Sequence, residues 1–206
     1  HAVAVRMVGS FNVSNLLAVT GALLSRGVAL DDVLPLLARL TPPEGRMQLV
    51  GGVGEPLVVV DYAHTPDALA KVLDAVRGTV HSRRGRLTCV FGCGGDRDPG
   101  KRPIMGDVAR QLADRVVITS DNPRSEDPAR IVEAVAAGAG PAAECIIDRA
   151  DAIRRAIVEA GADDVVVVAG KGHEPYQEIL GVRLPFSDFD QARAAQSSDT
   201  TEQLEA

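Results

Sequence analysis

Short apolar runs that alternate with helical patterns constrain the fold of this chain more than any other feature. The runs are rich in β-branched residues and contain few polar ones, so they predict strands buried on both faces. Alternation of such strands with helices indicates an open, mostly parallel α/β sheet with helices on both faces. The runs occupy residues 57–60, 87–91, 116–119 and 165–169, and a shorter one lies at 146–147.

Helix signals fill the segments between these runs. Thr65 followed by Pro66 predicts an N-cap and the first helical residue. Further helices are predicted at 103–113, 128–137 and 153–160, with a hairpin around Gly181 and a last helix from Asp188. The polar tail at 197–206 is expected to fray.

The first 43 residues form a separate helical segment in this interpretation. Asn12 is predicted to cap a first helix that ends at Gly27, and Asp31 or Asp32 to cap a second one. The prolines at 42 and 43 then break the pattern, which sets a boundary between a helical portion at 1–43 and an α/β domain at 44–206. Because the sequence starts without Met, we interpret it as a piece of a longer protein.

Composition argues against several functional classes. The net charge of −6 and the aromatic content of 3% argue against binding to nucleic acid. No apolar run approaches the roughly 20 residues of a membrane span and no signal peptide is evident, so we expect a cytoplasmic protein without a membrane partner. Cys89 and Cys93 lack a second pair at zinc-site spacing, so we predict no metal site and interpret them as buried thiols near a strand end.

Four loops are expected to meet at one edge of the predicted sheet. Each follows the carboxyl end of a strand, which is where ligands bind in open α/β sheets. All four are rich in glycine, proline and charged or histidine residues. They occupy residues 61–66, 92–101, 121–126 and 170–174.

The second of these loops has part of the spacing of a phosphate-binding loop. Gly95, Gly100 and Lys101 fit that spacing, but Arg102 stands where a serine or threonine would hold Mg²⁺. We therefore predict a tight turn that aims Arg97 and Lys101 at an anionic group.

Residues 121–124 carry the sharpest chemical signal. An acid (Asp121), an amide (Asn122) and a guanidinium (Arg124) on one turn suit an amino-acid ligand, since the guanidinium can fork onto a carboxylate while the acid accepts from an ammonium. Glu174 on another loop offers a second ammonium acceptor. The alternative is an ordinary turn with a solvated arginine.

Two further pairs are weaker signals. Lys171 and His173 lie in a loop whose glycines let the backbone approach a ligand. Asp61 and His64 precede a helix N-terminus, which attracts anions. A turn capped by Asp61, with His64 packed against it, explains the second pair equally well.

In their order and spacing, these loops resemble the Mur ligase family, and within it the type that adds diaminopimelate. The resemblance extends to about residue 195 and rests on residues 58–67, 91–103, 121–124 and 169–174. The family has a UDP-sugar domain, a central ATPase domain and a Rossmann-like C-terminal domain. The resemblance implies that residues 1–43 are the last helices of the central domain and that 44–206 form the amino-acid-binding C-terminal domain.

The resemblance also implies roles for single residues. Asn12 and Asn15 match an element near adenine, and Arg46, Asp61 and His64 match positions that reach ATP. The sequence Asp-Asn-Pro-Arg is the family's mark of diaminopimelate rather than lysine. The positions implied to hold meso-diaminopimelate are Arg97, Asp121, Asn122, Pro123, Arg124, Gly170 and Glu174, with Lys101, Lys171 and His173 in support.

The implied reaction is ATP-driven amide formation in peptidoglycan synthesis. The D-glutamate carboxylate of the UDP-N-acetylmuramoyl-dipeptide is phosphorylated, and an amine of diaminopimelate attacks the acyl phosphate. Mg²⁺ ligands are expected mainly in the central domain. Because the sequence has no Gly-x-x-Gly-Lys-Ser/Thr loop, we expect this piece alone to be inactive. The alternatives are a related amide ligase, such as folylpolyglutamate or cyanophycin synthetase, and a non-catalytic binding module descended from a ligase.

Overall fold

A six-stranded sheet forms the centre of the protein. The computed structural model describes residues 2–202, without the side chains of residues 10 and 198–202. The strands are β1 (Gln48–Gly51), β2 (Leu57–Asp61), β3 (Leu87–Phe91), β4 (Arg115–Ile118), β5 (Glu144–Cys145) and β6 (Val165–Ala169). They lie in the order β1-β2-β6-β3-β4-β5, and only the β1–β2 pair is antiparallel.

Helices cover both faces of this sheet, as predicted. The helices of the described residues are α1 (Ser10–Ser25), α2 (Leu30–Arg39), α3 (Pro66–Arg83), α4 (Lys101–Leu112), α5 (Pro128–Ala139), α6 (Arg149–Val158) and α7 (Asp188–Glu202), of which α3 to α7 cover the sheet. Side chains of α3, α4 and α5 belong to the hydrophobic core on one face, and those of α6 and α7 to the core on the other. The predicted hairpin around Gly181 is formed by β7 (Tyr176–Ile179) and β8 (Val182–Pro185).

The packing of β6 explains why the apolar runs are continuous. Val165 and Val167 belong to one core, whereas Val166 and Val168 belong to the other. Successive side chains of a strand point to opposite faces, so a strand covered on both sides has no position that favours a polar residue. Each buried valine contributes about 1.5–3 kcal/mol relative to exposure. The central strands therefore hold firmly the loops that follow their carboxyl ends.

Side-chain caps fix where three of the helices begin. The Thr65 hydroxyl accepts a hydrogen bond from the backbone of Ala68 at 3.3 Å, and Pro66 is the first helical residue, as predicted. Asp127 and Asp148 accept equivalent bonds at the starts of α5 and α6. Each cap satisfies a backbone N–H group that has no partner inside its helix.

Two strands differ from the sequence prediction. β1 was not predicted, because it is short, antiparallel and only partly buried. The short strand predicted at 146–147 is wrong in position, since β5 lies two residues earlier. Ile146 packs beside the hydrophobic core and Ile147 is exposed, so the apolar pair belongs to the loop that directly follows the strand.

The predicted caps of the first two helices are also wrong. Gly9 precedes α1, and Asn12 lies in its first turn, where the side-chain Nδ2 donates to the Val8 carbonyl at 2.7 Å. The second helix begins before Asp31 and Asp32. Both carboxylates lie in its first turn, where they stabilise the positive end of the helix dipole.

The last helix continues into the predicted tail. α7 extends to Glu202, so residues 197–202 are helical where fraying was expected. Ala192 and Ala195 are buried, and the Gln196 amide donates to the Pro56 carbonyl at 2.7 Å. These contacts anchor the preceding turn, from which the helix can extend at low cost. The predicted tail at 203–206 lies outside the described residues.

The three cysteines occupy different environments. Cys89 and Cys93 are buried, as predicted, and Cys145 is exposed. Burial raises the pKa of Cys89 to about 12 and that of Cys93 to about 11. Over the described part of the chain, no group of three or more His, Cys, Asp and Glu residues is arranged to hold a metal ion. No helix within residues 2–202 combines the length and apolar character needed to cross a membrane.

Candidate functional site

A polar cavity lies at the carboxyl ends of the central strands. Its volume is about 410 Å³, and all four predicted loops line it, which confirms that they converge. We call it the sheet-edge cavity. Its lining includes Tyr62 and His64 from the first loop, Arg97 and Lys101 from the second, Asp121, Asn122 and Arg124 from the third, and Gly170 and Glu174 from the fourth.

Close packing against Gly95 holds the turn of residues 121–124 in place. The backbone N–H of Gly95 donates to the Asn122 carbonyl at 2.9 Å. A Cβ atom at Gly95 would lie 2.0 Å from the Pro123 carbonyl oxygen, so the two loops can approach this closely only with glycine here. Pro123 is buried and does not line the sheet-edge cavity.

Arg124 adopts a left-handed backbone conformation, with φ of 52°. Its N–H donates to the Glu178 carbonyl at 3.0 Å and its carbonyl accepts from Leu180 at 2.6 Å, so the hairpin stabilises this rare geometry. Nη1 of the guanidinium donates to the Gly95 carbonyl at 2.7 Å. Within residues 2–202, Nε and Nη2 donate to no other group, so they can receive a carboxylate in the cavity.

A buried network joins this turn to the loop at 170–174. Nδ2 of Asn122 donates to Glu174 Oε2 at 2.7 Å. The ammonium of Lys171 donates to Asn122 Oδ1 at 2.9 Å and to Glu174 Oε2 at 3.3 Å, and the backbone of Glu178 also donates to Asn122 Oδ1. Lys171 has no exposed surface. The lysine therefore points into the protein rather than into the cavity, and it holds in place Asn122 and Glu174, which line the cavity.

Asp121 is the least satisfied carboxylate at the site. It is buried, and no described residue donates a hydrogen bond to its carboxylate oxygens. Burial raises the pKa of Asp121, and the positive charges of Arg149 and Lys171 oppose this rise. Gly170, with φ of 120°, is packed so closely that a Cβ atom there would lie 2.6 Å from Asp121 Oδ2.

A buried ion pair lies directly behind Asp121. Arg149 donates to both carboxylate oxygens of Asp188, at 2.7 and 2.8 Å, and both side chains are fully buried. The same guanidinium donates to the carbonyls of Ser120 at 3.1 Å and Ala169 at 3.0 Å. Arg149 thus fastens together the ends of β4 and β6 and the start of α7.

The loop at 92–101 brings two cations to the cavity, as predicted. Arg97 is exposed, and its Nη1 donates to the neighbouring Asp96 carbonyl at 3.1 Å. The ammonium of Lys101 donates to the His64 carbonyl at 2.9 Å, so it also ties this loop to the first one. The Asp98 carboxylate accepts from the backbone of Gly100 at 2.9 Å and closes the turn.

One guanidinium and two histidine rings surround Tyr62 at the side of the cavity. The Arg46 guanidinium lies 4.9 Å from the centre of its ring, and the rings of His64 and His173 lie 4.6 and 5.3 Å away. Asp61 is buried beneath them and accepts from the backbones of Met47 at 2.9 Å and Ala63 at 2.8 Å. Burial raises the pKa of Asp61, while these hydrogen bonds and Arg46 lower it. The capping interpretation of Asp61 therefore agrees with its contacts.

Asn12 and Asn15 lie apart from this site, on α1. The Asn15 amide donates to Asn12 Oδ1 at 3.5 Å, and neither side chain lines the sheet-edge cavity. Their predicted contact with adenine stays a prediction.

Sequence reasoning missed both tyrosines and Arg149. The chain has only two tyrosines, and both Tyr62 and Tyr176 line the cavity. Their rarity in a chain with 3% aromatic residues was the available signal. No sequence signal pointed to Arg149, because its partner Asp188 is 39 residues away.

The fold and the cavity define an α/β domain whose loops bring carboxylates and guanidinium groups together at the carboxyl ends of the strands. The profile of the family described as "Mur ligase, glutamate ligase domain" matches residues 45–172. The UDP-N-acetylmuramoyl-L-alanyl-D-glutamate–2,6-diaminopimelate ligase of Ectopseudomonas mendocina (strain ymp) is 60% identical over 191 residues, which are 92% of this chain and 39% of that protein. The chain belongs to the Mur ligase family. It spans about two fifths of the length of this curated relative.

Solved structures agree with this assignment. A UDP-N-acetylmuramoyl-L-alanyl-D-glutamate–2,6-diaminopimelate ligase superposes with a TM-score of 0.77 and 44% identity, over 97% of this chain and 41% of that one. The folylpolyglutamate synthase of Thermotoga maritima superposes with a TM-score of 0.64 at 19% identity, over 82% of this chain and 38% of that one. The second likeness reflects the shared fold alone.

Proposed function

We propose that this chain is the amino-acid-binding part of a ligase that adds meso-diaminopimelate to UDP-N-acetylmuramoyl-L-alanyl-D-glutamate. One observation carries the proposal: Asp121, Arg124 and Glu174 face a single cavity and keep unused hydrogen-bonding capacity there. The names of its relatives agree with that choice of ligand.

In this proposal, the site holds one end of diaminopimelate by its two charges. Arg124, with Arg97 beside it, takes the carboxylate, because a guanidinium binds carboxylates through two parallel hydrogen bonds. Asp121 and Glu174 accept from the ammonium. Gly170 lets the ligand approach the backbone. The other end of the ligand then points out of the cavity, free to react.

The longer protein would supply the remaining chemistry. ATP provides the phosphoryl group that activates the D-glutamate carboxylate, and the ligand amine then displaces phosphate to form the amide. We propose that Arg46 and His64 meet ATP from the side of Tyr62, with Asn12 and Asn15 near adenine. The contacts of Asp61 favour a supporting role, in which it holds the segment that carries Arg46. Residues 2–202 contain no group of three or more His, Cys, Asp and Glu side chains arranged for a metal ion, and we assign the Mg²⁺ site to the central domain of a cytoplasmic enzyme.

The same proposal divides the chain between residues 43 and 44. Residues 1–43 are then the last helices of a central ATPase domain, and residues 44–206 form the C-terminal domain. Two features support it: the profile match starts at residue 45, and α1 exposes Phe11, Val13 and Leu17. Exposed apolar side chains in such number are typical of a surface that another part of a protein covers.

The test is a comparison of Arg124→Ala with Arg130→Ala. Titration calorimetry of the unmodified chain with meso-diaminopimelate and with lysine measures the affinity and the selectivity of the cavity. We expect binding of diaminopimelate, weaker binding of lysine, and a loss of about 10- to 100-fold in Arg124→Ala, since a charge-assisted hydrogen bond is worth about 1.5–3 kcal/mol.

Arg130 is the matched control, because it is an exposed arginine on α5 outside the cavity. Its alanine variant should bind like the unmodified chain. Equal affinities in the two variants would count against the site. Absence of binding in the unmodified chain would favour a ligase-derived module with another ligand.

A further inference from the structure

Lys171 is a buried cation between two loops that face the ligand. It follows Gly170 at the end of β6, and its side chain has no exposed surface. The ammonium has two polar partners, Asn122 Oδ1 at 2.9 Å and Glu174 Oε2 at 3.3 Å. A buried charge is costly unless such partners surround it, so its retention calls for a role. Because it does not reach the cavity surface, that role is exerted through its neighbours.

The first consequence is the orientation of Asn122. Lys171 and the backbone N–H of Glu178 can only donate, so the amide group must turn its oxygen toward both of them. Nδ2 is then directed at Glu174 Oε2. Oε2 receives both the amide and the ammonium, while Oε1 accepts nothing from the residues that the structure describes. One oxygen of Glu174 is thereby held in place and the other is left for a ligand.

The second consequence concerns charge. Five charged side chains interact at this edge of the sheet, the carboxylates of Asp121, Glu174 and Asp188 and the cations of Arg149 and Lys171. Arg149 is bound through two nitrogens to Asp188. Arg149 and Lys171 both offset the charge of Asp121, and Lys171 is the one of the two that also contacts Glu174, at 3.3 Å. The cluster keeps a formal charge of −1, which the ammonium of a ligand would neutralise.

We propose that Lys171 is a positioning residue that holds Glu174 in place and keeps Asp121 ionised beside it, so that both accept from the ammonium of the ligand. The inference rests on the proposed function, since it assumes an amino acid in the cavity. Without the lysine, Asp121 would take up a proton more readily, because the positive charge of Lys171 opposes the rise in its pKa that burial and the nearby carboxylates cause. The protonated acid would then hold an ammonium weakly.

Calorimetry with meso-diaminopimelate between pH 5.5 and 8.5 tests this role. Lys171→Met should weaken binding at pH 7.5 by about tenfold or more, and the pH at which affinity falls to half should rise by about one unit. Lys171→Arg keeps the charge, so its pH midpoint should stay near that of the unmodified chain. Lys171→Gln keeps a hydrogen-bond donor without the charge and replaces the methionine variant if that variant does not fold.

Lys71→Met is the matched control, since Lys71 is an exposed lysine on α3 paired with Asp67. The other titratable or charged groups that face the cavity are the same in every variant, so a change of midpoint reports Lys171. They are Tyr62, His64, Arg97, Asp98, Lys101, Arg124 and Tyr176, whose ring centre lies 5.6 Å from the Lys171 ammonium. An unchanged midpoint in the uncharged variants, with or without lower affinity, overturns the proposal. Failure of the unmodified chain to bind at any pH instead refutes the proposed function.

Discussion

Gly170 shows how a single residue sets the shape of the cavity. Its φ is 120°, and a Cβ atom added to it would lie only 2.6 Å from Asp121 Oδ2, so a side chain there would force Asp121 to move. We expect Gly170→Ala to displace Asp121, to weaken diaminopimelate binding by about tenfold or more and to cost about 1–3 kcal/mol of stability. Calorimetry and urea unfolding measure the two effects.

Gly181→Ala is the control for this substitution. Gly181 has a φ of 77° and open space around the Cβ position, so alanine there adds backbone strain without a clash. It should reduce stability and leave affinity unchanged. Equal affinities in the two alanine variants would show that the contact with Asp121 does not matter for binding.

The ionised carboxylate of Asp121 should lower the stability of the folded protein while it contributes to ligand binding. Burial raises its pKa above the ordinary 3.8, so its ionised form destabilises the folded protein at neutral pH. We expect Asp121→Asn to unfold at a higher temperature at pH 7 while binding of diaminopimelate is lost. The gain in melting temperature should shrink as the pH falls through the raised pKa of Asp121. It should vanish below about 3.8, where Asp121 is protonated in both the folded and the unfolded native chain.

Thermal melts of Asp121→Asn and of the control variant Asp74→Asn at several pH values measure the effect on stability. Asp74 is exposed on α3, so its variant should melt like the native chain throughout. A lower melting temperature for Asp121→Asn at pH 7 would contradict the prediction.

For single residues, the chemistry of a side chain could be predicted from the sequence more readily than the direction in which it points. The charges of Asp121, Arg124 and Glu174 suggested an amino-acid site because their groups complement a zwitterion. That Lys171 points inward was not predictable, since it depends on Asn122, which lies 49 residues away in sequence.

Among the elements, the Arg149–Asp188 pair connects the most. It joins α6 to α7 and also binds the carbonyls at the ends of β4 and β6. We expect Asp188→Asn to lower the free energy of unfolding by about 3–5 kcal/mol, because it leaves a buried guanidinium without its counter-charge. Urea unfolding measures the loss.

Asp67→Asn removes an exposed carboxylate from an ion pair and serves as the comparison. It should change stability little, since exposed pairs are weak. Similar small losses in both variants would mean that Arg149 finds another counter-charge.

Element type was predictable where burial is complete, and element order was not. β2, β3 and β6 are buried at every position, so their apolar runs stood out. β1 is partly buried and pairs antiparallel, so its sequence gives little signal. The position of β6 between β2 and β3 follows from pairing between strands that are distant in sequence, and local sequence patterns carry no information about such pairing.

For the whole molecule, binding and catalysis should separate. This sequence contains no phosphate-binding loop of the Gly-x-x-Gly-Lys-Ser/Thr type. We expect the 206 residues alone to form no amide from ATP, diaminopimelate and the UDP-linked dipeptide, while they still bind diaminopimelate. Mass spectrometry of the reaction and calorimetry of the same sample measure both. Amide formation would show that the activating chemistry resides in this chain.

The burial of two of the three thiols has a practical consequence. Cys89 and Cys93 are shielded and hold their protons tightly, whereas Cys145 is exposed at the end of an edge strand. Burial raises the pKa of Cys145 as well, so access to the sulfur is what distinguishes it. A maleimide dye should therefore attach to the native chain at Cys145 alone, without any engineering. The protein thus carries a single native position at which a fluorescent label can be attached.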